Sequence, residues 1–141
     1  MRLLNIYSPM RILMCSSSSE NHRSKLYEAL LDFYELETIC FLHRSDFREE
    51  YGKRVIERLG IKSDVESILF GFSKKYYALS AASALFHFLE QDMGLSFSSG
   101  TLKFHTVPGD GILSLGSYFN MKVILSIYII NKIIILVEIW N

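Results

Sequence analysis

Residues 74–94 read KKYYALSAASALFHFLEQDMG, and their periodicity organises the chain around them. Ala78, Ala82, Leu85, Leu89 and Met93 recur at spacings of three and four, so they share one side of a helix. Leu79 and Phe86 widen that stripe, and Tyr77 packs at its start. The small residues at 78 and 80–84 allow a neighbouring helix to come close. Ser73 is placed to cap this helix, and Gly94 to end it.

Working towards the N-terminus, Ser45 and Asp46 open another helix, with Asp46 and Glu49 as its capping pair. Phe47, Tyr51, Val55 and Leu59 repeat every four residues along it. Gly60, able to adopt positive φ, stops it. Asp64 to Phe70 is a short helical segment ending at Gly71. Residues 37–42, ETICFL, are rich in β-formers and flanked by charge, as a short buried strand is. Residues 21–35 form a further helix with Leu26, Leu30 and Phe33 in one stripe. Ser17 and Glu20 fit a capping box before it. RILMC at 11–15 reads as a core strand rather than part of a signal segment, because Arg11 interrupts the apolar run and no clean cleavage site follows.

On the C-terminal side, Thr101 to Val107 alternates polar and apolar residues, the pattern of a half-solvated strand. Pro108-Gly-Asp-Gly111 marks a turn, with Ile112 to Leu115 as the partner strand.

The chain has 141 residues, 15 basic and 15 acidic, and half of them are apolar. That suits one domain, or one small domain and part of another, and excludes a strongly basic nucleic-acid module. Cys15 and Cys40 cannot staple a disulfide-rich scaffold, and neither they nor His22, His43, His87 and His105 show metal-ligand spacing. An intracellular, reducing setting follows as the expectation. Charge is uneven: residues 1–60 carry nine basic and nine acidic side chains, whereas 121–141 carry two and one together with eight isoleucines.

No nucleophile motif or phosphate-binding loop is present. Asp46, Glu49, Glu50 and Glu57 alternate with Arg48, Lys53, Arg54 and Arg58, which predicts a solvated helix face laced with i,i+4 ion pairs. Lys74 and Lys75, beside Tyr76 and Tyr77, are the candidate contacts to a nucleic-acid backbone phosphate, although cations at a helix N-terminus oppose its dipole.

The run SKKYYALSAASALFHFLEQDMG, followed by LKFHTVPGDGILSL, resembles the junction between the connector and the helical core of MutS-family proteins, and within them the meiotic subgroup. The Lys75-Tyr76-Tyr77 start, the small-residue run Ala78 to Ala84 and the Leu89-Glu90 pair carry the resemblance. HRSDFREEYGKRVIERLGI, residues 43–61, resembles the preceding connector helix. The resemblance covers roughly residues 25–115.

It implies an α/β fold: part of an RNase-H-like connector domain in residues 1–71, then the start of the helical MutS core, or lever, domain in 73–115. Residues 116–141 are an unmatched isoleucine-rich tail. The implied role is a non-catalytic scaffold in a nuclear protein that binds mismatched or branched DNA, in mismatch recognition or meiotic crossover formation, as a heterodimer with another MutS homologue. ATP and Mg²⁺ are implied only for an ATPase domain that has no counterpart here, so the chain itself is expected to need no cofactor. Phe47-Arg-Glu49 imitates the family's mismatch-probing Phe-x-Glu but stands in the wrong block. As a fragment, the chain is expected to expose the stripe Ala78, Ala82, Leu85, Leu89 and Met93 and to be poorly soluble.

Three readings stand for residues 121–141. One is a membrane helix of marginal length with Asn131 and Lys132 near its centre. The second is a buried strand or helix, a β-hairpin turning at Asn131-Lys132 suiting its isoleucines best. The third is translated AT-rich non-coding sequence. The alternatives to the family reading are a small helical protein–protein interaction module and a tail-anchored membrane protein.

Overall fold

The computed structural model describes residues 10–16, 25–72, 76–104, 123–127 and 133–137. Their element order is β1 (Arg11–Cys15), α1 (Lys25–Leu31), β2 (Ile39–Leu42), α2 (Glu49–Leu59), α3 (Lys62–Phe72), α4 (Tyr76–His87), β3 (Val123–Ile127) and β4 (Ile133–Val137). The architecture is mixed α/β.

Four strands form one sheet in the order β2-β1-β4-β3. β1 pairs in parallel with β2, Ile12 opposite Ile39 and Leu13 opposite Cys40. On its other edge β1 pairs in parallel with β4, Arg11 opposite Ile133 and Leu13 opposite Ile135. β3 and β4 are antiparallel, Leu125 opposite Ile135. β1 is thus an interior strand, and its unbroken Ile12-Leu13-Met14 run is buried, as a strand covered on both faces requires.

Side chains alternate across this sheet. Leu13 and Leu42 enter a cluster with Val55 and Leu59 of α2 and Ala81, Ala84, Leu85 and Phe86 of α4. Phe41 points the other way, where its ring lies 5.3 Å from that of Tyr27 in α1. Helices therefore flank β2 on both sides. Residues before and after position 72 share the central cluster. A second cluster joins Ile56, Ile68 and Phe72 to Ala78, Leu79 and Ala82.

The small-residue run does what its composition predicts. A Cβ added to Gly52 in α2 would overlap the Leu79 carbonyl oxygen of α4, so the two backbones touch where α2 carries no side chain. Ala78, Ala82, Leu85 and Leu89 are all buried within the fold. The expectation that this stripe would face solvent is corrected. Met93 is the exception, at 44% exposed. The helix widens into a π turn over Phe88–Asp92. That turn breaks the i,i+4 register between Leu89 and Met93 and swings Met93 out of the stripe. Gly94, at φ +64°, then ends the helix as expected.

Other boundaries move for local reasons. α1 stops at Leu31 because the Phe33 and Tyr34 N–H groups both donate to the Leu30 carbonyl, at 3.0 and 2.8 Å. Phe33 lies beyond the helix, 62% exposed, rather than in its stripe. Ser45 and Asp46 occupy a 3₁₀ turn, Arg44–Asp46, and α2 begins only at Glu49.

Gly60 ends α2 with φ −69°, not a positive value. Its need for glycine is steric, since a Cβ there would come within 2.7 Å of the Ile56 carbonyl oxygen and of Val65 Cγ2. The segment Thr101–Phe104 runs alongside: Leu102 donates its N–H to the Leu59 carbonyl at 2.8 Å and accepts from Ile61 N–H at 3.0 Å. It makes a single parallel bridge rather than the predicted strand. Residues 105–107, the turn at Pro108 to Gly111, the partner strand at 112–115, the Ser17–Glu20 capping box and Ser73 lie outside the described residues.

In the tail, β3 and β4 adopt the hairpin reading, although Asn131 and Lys132 at its turn are outside the described residues. Residues 123–127 and 133–137 are strands, which corrects the membrane-helix reading. No helix among the described residues is long and apolar enough to cross a membrane. Because β4 covers one edge of β1, deleting residues 116–141 should bare a row of buried backbone donors and acceptors. The shortened chain is expected to aggregate on refolding, while the full chain remains in solution; size-exclusion chromatography with light scattering distinguishes them.

Candidate functional site

The polar residues brought together by the fold lie where the 3₁₀ turn and α2 pass α4. Ser45, Asp46, Arg48, Tyr51, Arg54, Ser83 and His87 line a solvent-open groove of about 270 Å³. Ser83 is its keystone. This buried hydroxyl donates to the Asp46 carbonyl at 2.5 Å and accepts the Arg48 N–H at 3.2 Å. The two bonds hold the turn before α2 against the middle of α4. Removing them in Ser83→Ala should cost about 1–3 kcal/mol, since buried backbone groups lose their partner. Urea denaturation measures this.

Asp46 is held in turn. Its Oδ2 accepts from the His43 N–H at 3.1 Å, and its Oδ1 from the Ser45 hydroxyl at 3.4 Å. His43 Nδ1 accepts the Ser45 N–H at 3.2 Å, closing the turn. Across the groove, His87 Nε2 lies 3.8 Å from Asp46 Oδ1, an ion pair only when the ring is protonated. His87 Nδ1 is buried with no hydrogen-bond partner among the described residues.

Next to the groove, Glu90 has both oxygens engaged. Arg58 Nη2 donates to Oε1 at 2.7 Å and the Tyr51 hydroxyl to Oε2 at 3.2 Å. The Arg58 side chain is half exposed, so the pair adds at most about 1 kcal/mol. Its effect is to tie the C-terminal end of α2 to the π turn.

Burial raises the Tyr51 phenol above its ordinary value, and the charge of Glu90 and the hydrogen bond to it add to the rise, while Arg58 and Arg54 oppose it. A group raised on folding stabilises the fold fully below its unfolded value and loses that contribution as pH climbs through the folded one. Tyr51 should therefore titrate above an ordinary tyrosine, with stability falling above a pH of about 10. Ultraviolet phenolate titration of the native chain against Tyr51→Phe checks it.

The charged face of α2 differs from its expected form. Among the described residues one i,i+4 pair is present, Lys53 with Glu57 at the 4.0 Å limit. Arg58 instead reaches across the chain to Glu90, and Asp46 turns inward. No carboxylate among the described residues pairs with Arg48 or Arg54. Ala78, Ala82, Leu85 and Leu89 form core rather than surface, and Met93 is apart from them. Lys74 and Lys75, the candidate phosphate contacts, lie outside the described residues, as does the side chain of Tyr77. Ser83, His87, Tyr51 and Glu90 carry no signal as site residues in the sequence, because periodicity assigns a face and not a partner.

Both cysteines are free. Burial pushes the Cys15 thiol up, Arg44 pulling against it and Asp46 with it. Among the described residues no three His, Cys, Asp or Glu side chains are placed to hold a metal ion.

The two segments locked together here, 43–61 and 76–93, are among those on which the family resemblance rests. The chain is similar to MutS protein homolog 4. The mouse protein is 26% identical over 103 residues, 72% of this chain and 11% of its own length. The human protein is 27% identical over 101 residues, again 11% of its length. The chain spans about a tenth of these curated relatives. No family model matches it. No solved structure matches it either.

Proposed function

We propose that the chain is a non-catalytic scaffold segment of a MutS-related, DNA-associated protein. In this reading β1 to α3 correspond to part of an RNase-H-like connector, and α4 begins the lever domain. The supporting observation is the locking of α2 to α4 at three levels. Gly52 meets Leu79 by backbone contact, Ser83 bonds across to Asp46 and Arg48, and Arg58 pairs with Glu90. A unit tied from the turn before α2 to the end of α2, and from α4 into its π turn, transmits displacement instead of absorbing it, which suits a relay between DNA-holding and ATP-binding parts of a larger protein. The similarity to the mouse and human homologues covers some 70% of the chain and favours the same family. The whole protein would act in the nucleus on mismatched or branched DNA, paired with another MutS homologue. ATP and Mg²⁺ would bind outside this segment, and the segment itself would do no chemistry.

The test is to sequence transcripts through the Gly116 codon and express the longest product. An ATPase-encoding region should follow in frame, and the product should release a four-way junction or mismatched duplex on ATP addition. The 141-residue chain alone should bind neither more tightly than a plain duplex. Transcripts that all stop after Asn141, or ATP hydrolysis by the chain itself, would overturn the reading.

A further inference from the structure

We infer that the groove between the 3₁₀ turn, α2 and α4 is a phosphate-binding site, built on the guanidinium groups of Arg48 and Arg54. Its donors and acceptors are unequally engaged. The Asp46 carboxylate accepts the His43 N–H at 3.1 Å, and the Ser45 hydroxyl, 2.7 Å from His43 Nδ1, lies 3.4 Å from its Oδ1. The Ser83 hydroxyl is used twice, by Asp46 and Arg48 backbone groups. The Tyr51 hydroxyl is spent on Glu90, whose second oxygen takes Arg58. Apart from His87 Nδ1, which has no hydrogen-bond partner among the described residues, the acceptors in and beside the groove are thus engaged within the fold.

The donors are not. Arg48 and Arg54 both line the groove, and neither guanidinium has an ion-pair partner among the described residues. Both are exposed, whereas Asp46 is only 16% so. An incoming ligand therefore meets the two cations before the carboxylate behind them. Glu49 and Glu50, the next acidic residues along α2, are not part of the lining. His87 faces the one lining carboxylate, Asp46, from α4, with Nε2 3.8 Å from its Oδ1. Two planar, multi-donor cations with no ion-pair partner among the described residues, set over one concavity, select a compact oxyanion with several lone pairs, which is the chemistry of phosphate.

The phosphate can be free or part of a DNA backbone. Only the second source rests on the scaffold reading, and the experiment separates the two. The isotope-labelled full chain is titrated at constant ionic strength with inorganic phosphate, with chloride as control, and with a short DNA duplex, following the arginine side-chain N–H resonances. Saturable movement of the Arg48 and Arg54 signals with phosphate is expected. Arg48→Gln or Arg54→Gln should each weaken binding on the order of fivefold, as the loss of one solvent-open charge-assisted bond does. Lys53→Gln, outside the groove, should not.

If the duplex moves the same signals at lower concentration, the site reads backbone phosphate. If inorganic phosphate alone moves them, the site takes a free phosphate, and the scaffold reading stands or falls separately on its transcripts. Shifts no larger than those with chloride, or shared equally by Arg44 and Lys53, overturn the site. Both arginines are exposed, and thermal melts of the variants confirm that a loss of binding is not a loss of fold.

Discussion

Gly52→Ala should destabilise the chain by about 3 kcal/mol or more, although the same change in most helices is favourable. Gly52 stands in the first half of α2, where alanine would normally gain about 1 kcal/mol from backbone entropy. Here the new methyl has nowhere to go. It would overlap the Leu79 carbonyl oxygen and come within 2.7 Å of the carbonyl carbon, both backbone atoms inside α4. Backbone in the middle of a helix cannot swing aside as a side-chain end can, so α2 and α4 must separate. Separation thins the cluster in which Val55 and Leu59 meet Ala81, Ala84 and Leu85. Against a total stability of about 5–15 kcal/mol, that loss is a large share. Urea denaturation followed by circular dichroism gives the sign at once. A midpoint equal to or above that of the parent would mean that the helices do not touch at this point.

The α2–α4 packing was legible in the sequence from one side only. The alanines and serines of 78–84 announce a close approach because small residues have few other uses along a buried stripe. The partner glycine is harder to see, since Gly52 stands within a run of charged residues whose pattern speaks of solvent. The same limit explains the ion pairs. Sequence spacing identifies which charges can meet along one helix, so Lys53 with Glu57 is foreseeable. Arg58 with Glu90 is not, because 32 residues and two helices separate them.

Gly60 shows a different gap. A glycine after a helix has two physical uses, a left-handed turn and a close approach, and the sequence does not distinguish them. Gly94 takes the first and Gly60 the second. Met93 fell outside its stripe because a π turn is a one-residue change of register that periodicity cannot register. The groove was hidden for a related reason. Asp46, Arg48 and Arg54 were visible as charges, but Ser83, which anchors the turn carrying them, looked like one more small residue.

Phe86→Ala should cost about 3–5 kcal/mol, and its damage should spread in a particular direction. Phe86 is fully buried, the largest side chain to be so among the described residues. Its ring meets Phe97 edge-on, with centroids 5.5 Å apart at 82°, and Phe104 at 6.3 Å and 66°. Phe97 and Phe104 belong to the segment that follows Gly94 and returns to pair with Leu59, Gly60 and Ile61 through Leu102. Phe86 is therefore the anchor for two aromatic contacts of a stretch that has little regular backbone pairing of its own. Truncating it removes transfer free energy, leaves a cavity, and forfeits edge-to-face contacts worth about 0.5–1.5 kcal/mol each. Hydrogen exchange should then accelerate first at Leu102 N–H and Ile61 N–H, which close the bridge, and later in α2 and α4. Phe86→Leu, which keeps most of the volume and loses the ring, should restore much of the global stability but leave that local exchange fast. Uniform acceleration across the chain in both variants would mean that the segment 97–104 is held by its backbone bridge and not by the aromatic contacts.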